Sequence, residues 1–286
     1  MKPAPFEYIR PKSVAEASVA LARRGANTAA IAGGQSLIPM LALRVALIDI
    51  LVDLSRLDDL KTVTETLDGV WLGALTTHAA IEDGKTPDVF NGLMRRVAGQ
   101  ISYRAIRNHG TIGGSVALAD PAADWPCCLI ALDATVRVVG RSGVSVQRVT
   151  DFIHDSYATT LTTGDIIMGF DIPAPKAPLR WGFAKVARKS GAFANSIAIV
   201  TSQGKDGPVS VVLGGAGPRA RQFEATAKEL AAPSSSEEKL RAAIDADLDA
   251  NFDGLDAYQK RMHTAAILRA AQDMRTQGLR TQGAGQ

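Results

Sequence analysis

Twice in this chain paired glycines are followed closely by a serine, once at the end of an apolar run and once after a polar loop. The segments are Ile31-Ala32-Gly33-Gly34-Gln35-Ser36-Leu37 and His109-Gly110-Thr111-Ile112-Gly113-Gly114-Ser115. Glycine at a strand end lets successive backbone N–H groups turn toward an anion at close range, and a following serine adds a hydroxyl donor. One such pair is ordinary turn punctuation. Two of them, from separate parts of the chain, are what a diphosphate held between two subdomains requires. A third run, Gly215-Ala216-Gly217-Pro218-Arg219-Ala220, matches G-x-G-x-x-A after a strand. Pro218 removes an N–H there and the flanking pattern is hairpin-like, so it is read as a strand-to-helix turn.

The 286 residues are enough for roughly two compact units. With 46% hydrophobic and 21% charged residues, wholesale disorder and fibrous repeats are excluded. The net charge of +3 is not gathered into a basic stripe, so no nucleic-acid partner is expected. The N-terminus has no apolar signal-like core, and the stretch from Pro39 to Leu54 is broken by Arg44, Asp49 and Asp53. No membrane span and a cytoplasmic location are therefore expected. The only cysteines, Cys127 and Cys128, are adjacent and sit in an apolar run. They suit neither a disulfide framework nor the four ligands of an iron–sulfur cluster. His154 and His263 have no partners at metal-ligand spacing, and neither a metal site nor a catalytic nucleophile is expected.

Pattern divides the chain into three zones. Ser13 and Glu16 form a capping box opening a helix that stops by Gly25; strands at 28–31 and 47–54 complete a small βαβ-like unit to about residue 56. The second zone has strands at 62–66 and 70–75, a helix capped by Thr76 or Thr77, and a helix over 91–100. A polar loop over 102–108 and strands at 135–139, 144–148 and 166–172 follow. The Pro173, Pro175 and Pro178 cluster closes it. The third zone has strands at 181–187, 196–201 and 209–213, helices near 221–231, 235–246 and 258–276, and a polar tail from Gln277 expected to fray.

These segments together resemble the FAD-binding medium subunit of the molybdenum hydroxylases, the xanthine oxidoreductase and aerobic carbon monoxide dehydrogenase group. Ala32 to Leu37 is similar to its first flavin motif and Thr111 to Ser115 to its second. Phe6 to Pro11, Asp120 to Pro126, Gly164 to Ile167 and Leu213 to Arg219 also resemble it. The resemblance implies an α+β chain: a two-subdomain FAD-binding domain of the PCMH type over residues 1–176 (subdomains about 1–56 and 57–176), then a C-terminal antiparallel sheet with helices over 177–286.

It further implies that Ala32, Gly33, Gly34, Gln35, Ser36 and Leu37, with Thr111, Ile112, Gly113, Gly114 and Ser115, hold the FAD diphosphate. Asp124 corresponds to an acid bonding the polar half of the cofactor, the other reading being a helix N-cap. Ile167, Lys185 and Phe193 correspond to positions around the flavin ring, where a cation favours the reduced form. Gln35 and Ser115 depart from the common family residues but keep hydrogen-bonding capacity. His78 reads as a surface or capping residue, and His109 as exposed or as a phosphate contact. The loop from Tyr103 to Asn108, with Arg104 and Arg107, is a candidate docking surface.

The implied function is electron transfer, from two [2Fe-2S] clusters of a small partner subunit to FAD on this chain and on to an external acceptor. A large subunit would carry the molybdopterin cofactor, and the assembly would be a dimer of heterotrimers. The alternatives are a self-sufficient flavin oxidase or reductase of the same fold, and a flavin-free scaffold.

Overall fold

The computed structural model describes residues 2–204 and 207–283. In the first unit Ser13 has extended backbone and its hydroxyl accepts the Glu16 N–H, which starts α1 (Val14–Leu21). The Glu16 carboxylate takes the N–H of Lys12, the residue ahead of the cap, a variant of the capping box that ties the incoming chain to the first turn. β1 (Glu7–Ile9), β2 (Thr28–Ile31) and β3 (Ile50–Asp53) form a parallel sheet in the order β1-β3-β2. Its central strand is buried throughout, as a parallel strand covered by crossovers must be. α2 (Leu37–Ala42) starts where the first glycine segment ends.

The second unit is an antiparallel sheet of β4 (Val63–Thr66), β5 (Gly69–Gly73), β6 (Thr135–Gly140), β7 (Gly143–Arg148) and β10 (Ile166–Pro173), in the order β4-β5-β10-β6-β7. Five short helices lie between β5 and β6: α3 (His78–Glu82), α4 (Leu93–Ala98), α5 (Arg104–Arg107), α6 (Ile112–Leu118) and α7 (Asp124–Ala131). α8 (Val149–Phe152) and a small ribbon of β8 (Ile153–Asp155) and β9 (Ala158–Thr159) precede β10. The polar loop expected at 102–108 contains the single turn α5. The helix expected from Asn91 starts at Leu93, because Asn91 and Gly92 have left-handed backbone. Pro173 remains in the sheet as the last residue of β10, where its missing N–H is tolerated.

β11 (Leu179–Ala187), β12 (Ala194–Gln203), β13 (Val209–Gly214) and the short β14 (Arg221–Gln222) form the last sheet, followed by α9 (Glu224–Ala231), α10 (Glu237–Asn251) and α11 (Ala257–Gly283). The glycine run at 215–220 leads into β14 rather than directly into a helix. Gly217 is held there by packing: a Cβ on it would lie 2.6 Å from the Phe252 ring. α11 continues past Gln277, where the sequence predicts a frayed tail, and residues 284–286 lie outside the described residues. No described helix is long and apolar enough to cross a membrane.

β12 is buried on both faces, and its period of two assigns each residue to one side. Ile197 and Ile199 join the cluster built from α7 and the central sheet, whereas Ala198 and Val200 join the cluster under α10 and α11. The largest apolar cluster thus runs from Val70 in β5 to Val212 in β13, so the C-terminal sheet shares a core with the central unit. On β11, Trp181 and Phe183 point the same way as Ile199, and the same alternation brings Lys185 to the end of α7. Truncating Ile199 to Ala should cost about 3 kcal/mol in chemical denaturation. The loss should appear in a single unfolding transition; two transitions, only one displaced, would show the sheet to be cored separately.

Candidate cofactor-binding site

The two glycine segments touch each other. A Cβ on Gly33 would lie 1.9 Å from the His109 carbonyl oxygen and 2.9 Å from Gly110 Cα. Only a residue without a side chain permits that approach, and it places β2 and α2 of the first unit directly on the entry to α6. Gly34, at φ +72°, makes the left-handed turn that points the following N–H groups away from β2.

In hydrogen bonding the two segments differ. Among the described residues, the N–H groups of Gly33, Gly34, Gln35, Ser36 and Leu37 have no acceptor, and Ser36 makes no capping bond. They form an open row of donors at the start of α2. The second segment is already paired. Ile112 N–H goes to Thr76 O at 3.0 Å, Gly113 N–H to Ala74 O at 2.9 Å, Gly114 N–H to Thr111 Oγ1 at 3.1 Å and Ser115 N–H to Thr111 O at 3.1 Å. It offers the Thr111 N–H and the hydroxyls of Thr111 and Ser115. Gly113 is required by packing, since a Cβ there would meet Ala74 at 2.5 Å.

Between the segments opens a cavity of about 500 Å³, within the usual range for ligand pockets. Of the residues the sequence places at the site, Ala32, Gly33, Gly34, Gln35, Ser36, Leu37, Thr111, Gly113, Gly114, Ser115, Asp124, Ile167, Lys185 and Phe193 line it. Ile112 does not: it is fully buried in the apolar core, and its contribution is the bond to Thr76. Gln35 folds back so that its amide donates to Gly33 O at 2.9 Å. Ile167 is buried in β10, while Phe193, just ahead of β12, is exposed at the cavity mouth.

Asp124 and Lys185 form a buried ion pair of 2.9 Å, each side chain 7% exposed. The helix N-cap is Ala123, so Asp124 is not the cap; its carboxylate turns inward from the first turn of α7. Lys185 Nζ also donates to Gln100 O at 3.2 Å. Asp124 uses only Oδ2 in the pair, and Oδ1 is buried without a partner. Burial raises the Asp124 carboxyl to about 6 despite the neighbouring ammonium. An unpaired buried oxygen costs free energy, so this atom is set for a donor that the protein itself does not supply.

His78 is a site residue that the sequence reading missed. It is 6% exposed and lines the cavity beside Gly110. Its Nδ1 accepts the indole N–H of Trp125 at 2.9 Å, a partner distant in sequence. The signal was faint: a histidine at the first position of a short helix, behind the Thr77 cap, with Ala79 and Ile81 on the same turn. His109, by contrast, presents only its backbone; its side chain is exposed and does not line the cavity. Arg104 and Arg107 are engaged by Glu82 and Asp83, with Arg107 also bonding the carbonyls of Ile101 and Ser102, so they brace α5 on α3 instead of offering free cations for docking.

The fold and site define a two-unit binding domain for an anionic, dinucleotide-sized cofactor, backed by a third sheet that contributes one lysine. Residues 4–175 match the model of the FAD binding domain in molybdopterin dehydrogenase. The glyceraldehyde dehydrogenase medium chain of Sulfolobus acidocaldarius is 37% identical over 194 residues, 68% of each protein. The carbon monoxide dehydrogenase medium chain of Hydrogenophaga pseudoflava is 30% identical over 249 residues, 86% of this chain and 87% of that one. A solved structure of Hydrogenophaga pseudoflava carbon monoxide dehydrogenase superposes with a TM-score of 0.90 at 29% identity, covering 96% of this chain and 99% of the other. Quinoline 2-oxidoreductase from Pseudomonas putida gives 0.85, also at 29%, covering 95% and 99%. The chain belongs to this family: it is an FAD-binding medium subunit of the molybdenum hydroxylases, and thus an oxidoreductase subunit. The self-sufficient flavoenzyme and the flavin-free scaffold are not favoured.

Burial, with a lesser contribution from the Arg107 charge, lowers His78 to about 4. The unfolded chain takes up that proton near pH 6.5 and the folded protein resists it. The contribution of His78 to stability is therefore complete above pH 6.5 and falls as pH drops toward 4, by about 3 kcal/mol in total. His78→Gln should flatten the pH dependence of unfolding in that window relative to wild type. Identical slopes for the two proteins would contradict the assignment.

Proposed function

We propose that this chain takes electrons from the iron–sulfur clusters of a partner subunit onto FAD and passes them to an external acceptor. The observation that carries the reading is the cavity itself. It has an open row of backbone donors at one wall and, at another, a buried Lys185–Asp124 pair with one carboxylate oxygen unpartnered. These features fit FAD from both ends, an anionic linker for the donors and a hydrogen-bond donor for Asp124 Oδ1.

In this reading the N–H groups of Gly33 to Leu37 bind the diphosphate, completed by the Thr111 N–H and the hydroxyls of Ser36, Thr111 and Ser115. Asp124 Oδ1 accepts a hydrogen bond from the polar part of the cofactor. Lys185 supplies a fixed positive charge, tempered by the carboxylate beside it, and Ile167 and Phe193 supply apolar contact. FAD when bound supplies redox chemistry that takes electrons singly and releases them one or two at a time; the protein sets its position and local field.

That relatives are medium chains supports a large and a small partner subunit; in this proposal the large one binds the molybdopterin cofactor, the small one carries two [2Fe-2S] clusters, and the assembly pairs into a dimer of heterotrimers in the cytoplasm. The chain divides, in this proposal, into an FAD-binding domain over 1–176 and a C-terminal domain over 177–286. Co-purification of the native complex, with metal and flavin analysis of each chain, tests the assembly. Flavin recovered with this chain and iron with another supports it; a lone, flavin-free chain refutes it.

The electrostatic role has its own test. Lys185→Met should lower the midpoint potential of the bound flavin by about 30 mV, a tenfold change for a two-electron couple. Asp124→Asn should move it the opposite way. Equal potentials in all three proteins would remove both residues from the tuning of the cofactor.

A further inference from the structure

His78 lines the cavity wall, and neither the family motifs nor the proposed chemistry gives it a task; Asp120 and Asp165, which also line the wall, are engaged within the protein by Ala122, Tyr157 and Thr162. The ring geometry of His78 restricts what that task can be. The Trp125 indole N–H can only donate, and it donates to Nδ1 at 2.9 Å. Nδ1 must therefore be unprotonated, and the proton of the neutral ring sits on Nε2. Among the described residues Nε2–H has no acceptor, and it is not one of the fully buried unpartnered atoms, while the ring lines the cavity. Its edge abuts Gly110: a Cβ on that glycine would lie 2.7 Å from Nε2 and 2.8 Å from Cδ2. Gly33 approaches the same glycine, so His78 stands at the junction where the open donors of the first segment gather.

We propose that His78 is a neutral hydrogen-bond donor to the bound dinucleotide, its Nε2–H directed at an oxygen of the linker that joins the two nucleotide halves. The inference rests on the FAD reading above and adds a side-chain donor to a cradle otherwise made of backbone and hydroxyl groups. Trp125 is the positioning residue. By occupying Nδ1 it fixes both the tautomer and the plane of the ring, and a second ring proton would face the indole hydrogen. Burial and the Arg107 charge act in the same direction, keeping the ring neutral. Direction without charge is then supplied over the whole neutral pH range, and α7 serves the site twice, through Asp124 to Lys185 and through Trp125 to His78.

The test uses the full-length chain labelled with ¹⁵N-histidine. Before ligand is added, the ring nitrogens of His78 should report the Nε2–H tautomer, and saturating FAD should move the Nε2–H proton downfield. In direct titrations His78→Phe, which keeps the packing on Gly110 but has no donor, should bind FAD about tenfold more weakly. His78→Gln, which restores an N–H, should recover most of the loss. ADP tests the acceptor: its affinity should fall in His78→Phe alongside that for FAD, and an ADP affinity unchanged while that for FAD falls would overturn the assignment to the linker. The ring signals of the wild-type protein need no variant to fold. An Nδ1–H tautomer in the free protein, or an Nε2–H signal unmoved by FAD together with equal affinities for wild type and His78→Phe, overturns the proposal and leaves the FAD reading intact. A wild-type chain that takes up no FAD overturns the reading beneath it.

Discussion

The constraint on which the site depends is the contact of Gly33 with the backbone of His109 and Gly110. It joins a parallel unit built from the first part of the chain to the entry of a helix in the second, at a separation no side chain permits. The cavity exists because of it. β2 ends at this contact, the left-handed Gly34 turns the chain into α2, and five N–H groups of residues that line the cavity are left without an acceptor among the described residues. The second segment answers with a different structure, stitched along residues 74–78 and closed by the Thr111 cap. One segment is an open cradle and the other is the brace that holds it in place.

The opposite wall obeys a different rule. A lysine and an aspartate removed from water are retained at a cost in desolvation that their mutual attraction only partly offsets, and the unpaired Asp124 oxygen adds to it. The raised Asp124 carboxyl is the mark of that cost. Such an arrangement is better suited to a ligand than to the empty fold, because a donor at Oδ1 completes the hydrogen bonding and lowers the penalty. Burying the pair under the shared core of α7 and β11–β12 fixes the charge in position, which is what tuning a redox cofactor requires.

Much of this was legible in the residue pattern. The strand read at 181–187 is β11, on which the structure sets Lys185 on the Trp181 and Phe183 side, and Ser13 with Glu16 gives the entry of α1. The paired glycine segments gave the site. The reasons for the glycines were less legible. Sequence reading gives them one role, freeing N–H groups for an anion, whereas Gly33 and Gly113 are required by contacts with backbone far away in the chain, which no local pattern encodes. Ile112 lies within the motif but packs in the core, since the first residue of α6 faces inward there. His78 reads as a surface or capping residue for the same reason that the Gly33 contact is hidden: its meaning comes from Trp125, and a histidine beside a threonine cap looks exposed until that partner is in place.

The two glycine segments are unequal, and the shape of the site follows from that difference. Amide hydrogen exchange on the purified chain, with and without FAD, tests it most directly. The N–H groups from Gly33 to Leu37 should exchange freely in the absence of the cofactor and become protected when it binds, while those from Ile112 to Ser115 should be protected in both states. Equal gains of protection in the two segments, or none from Gly33 to Leu37, would contradict the division into cradle and brace.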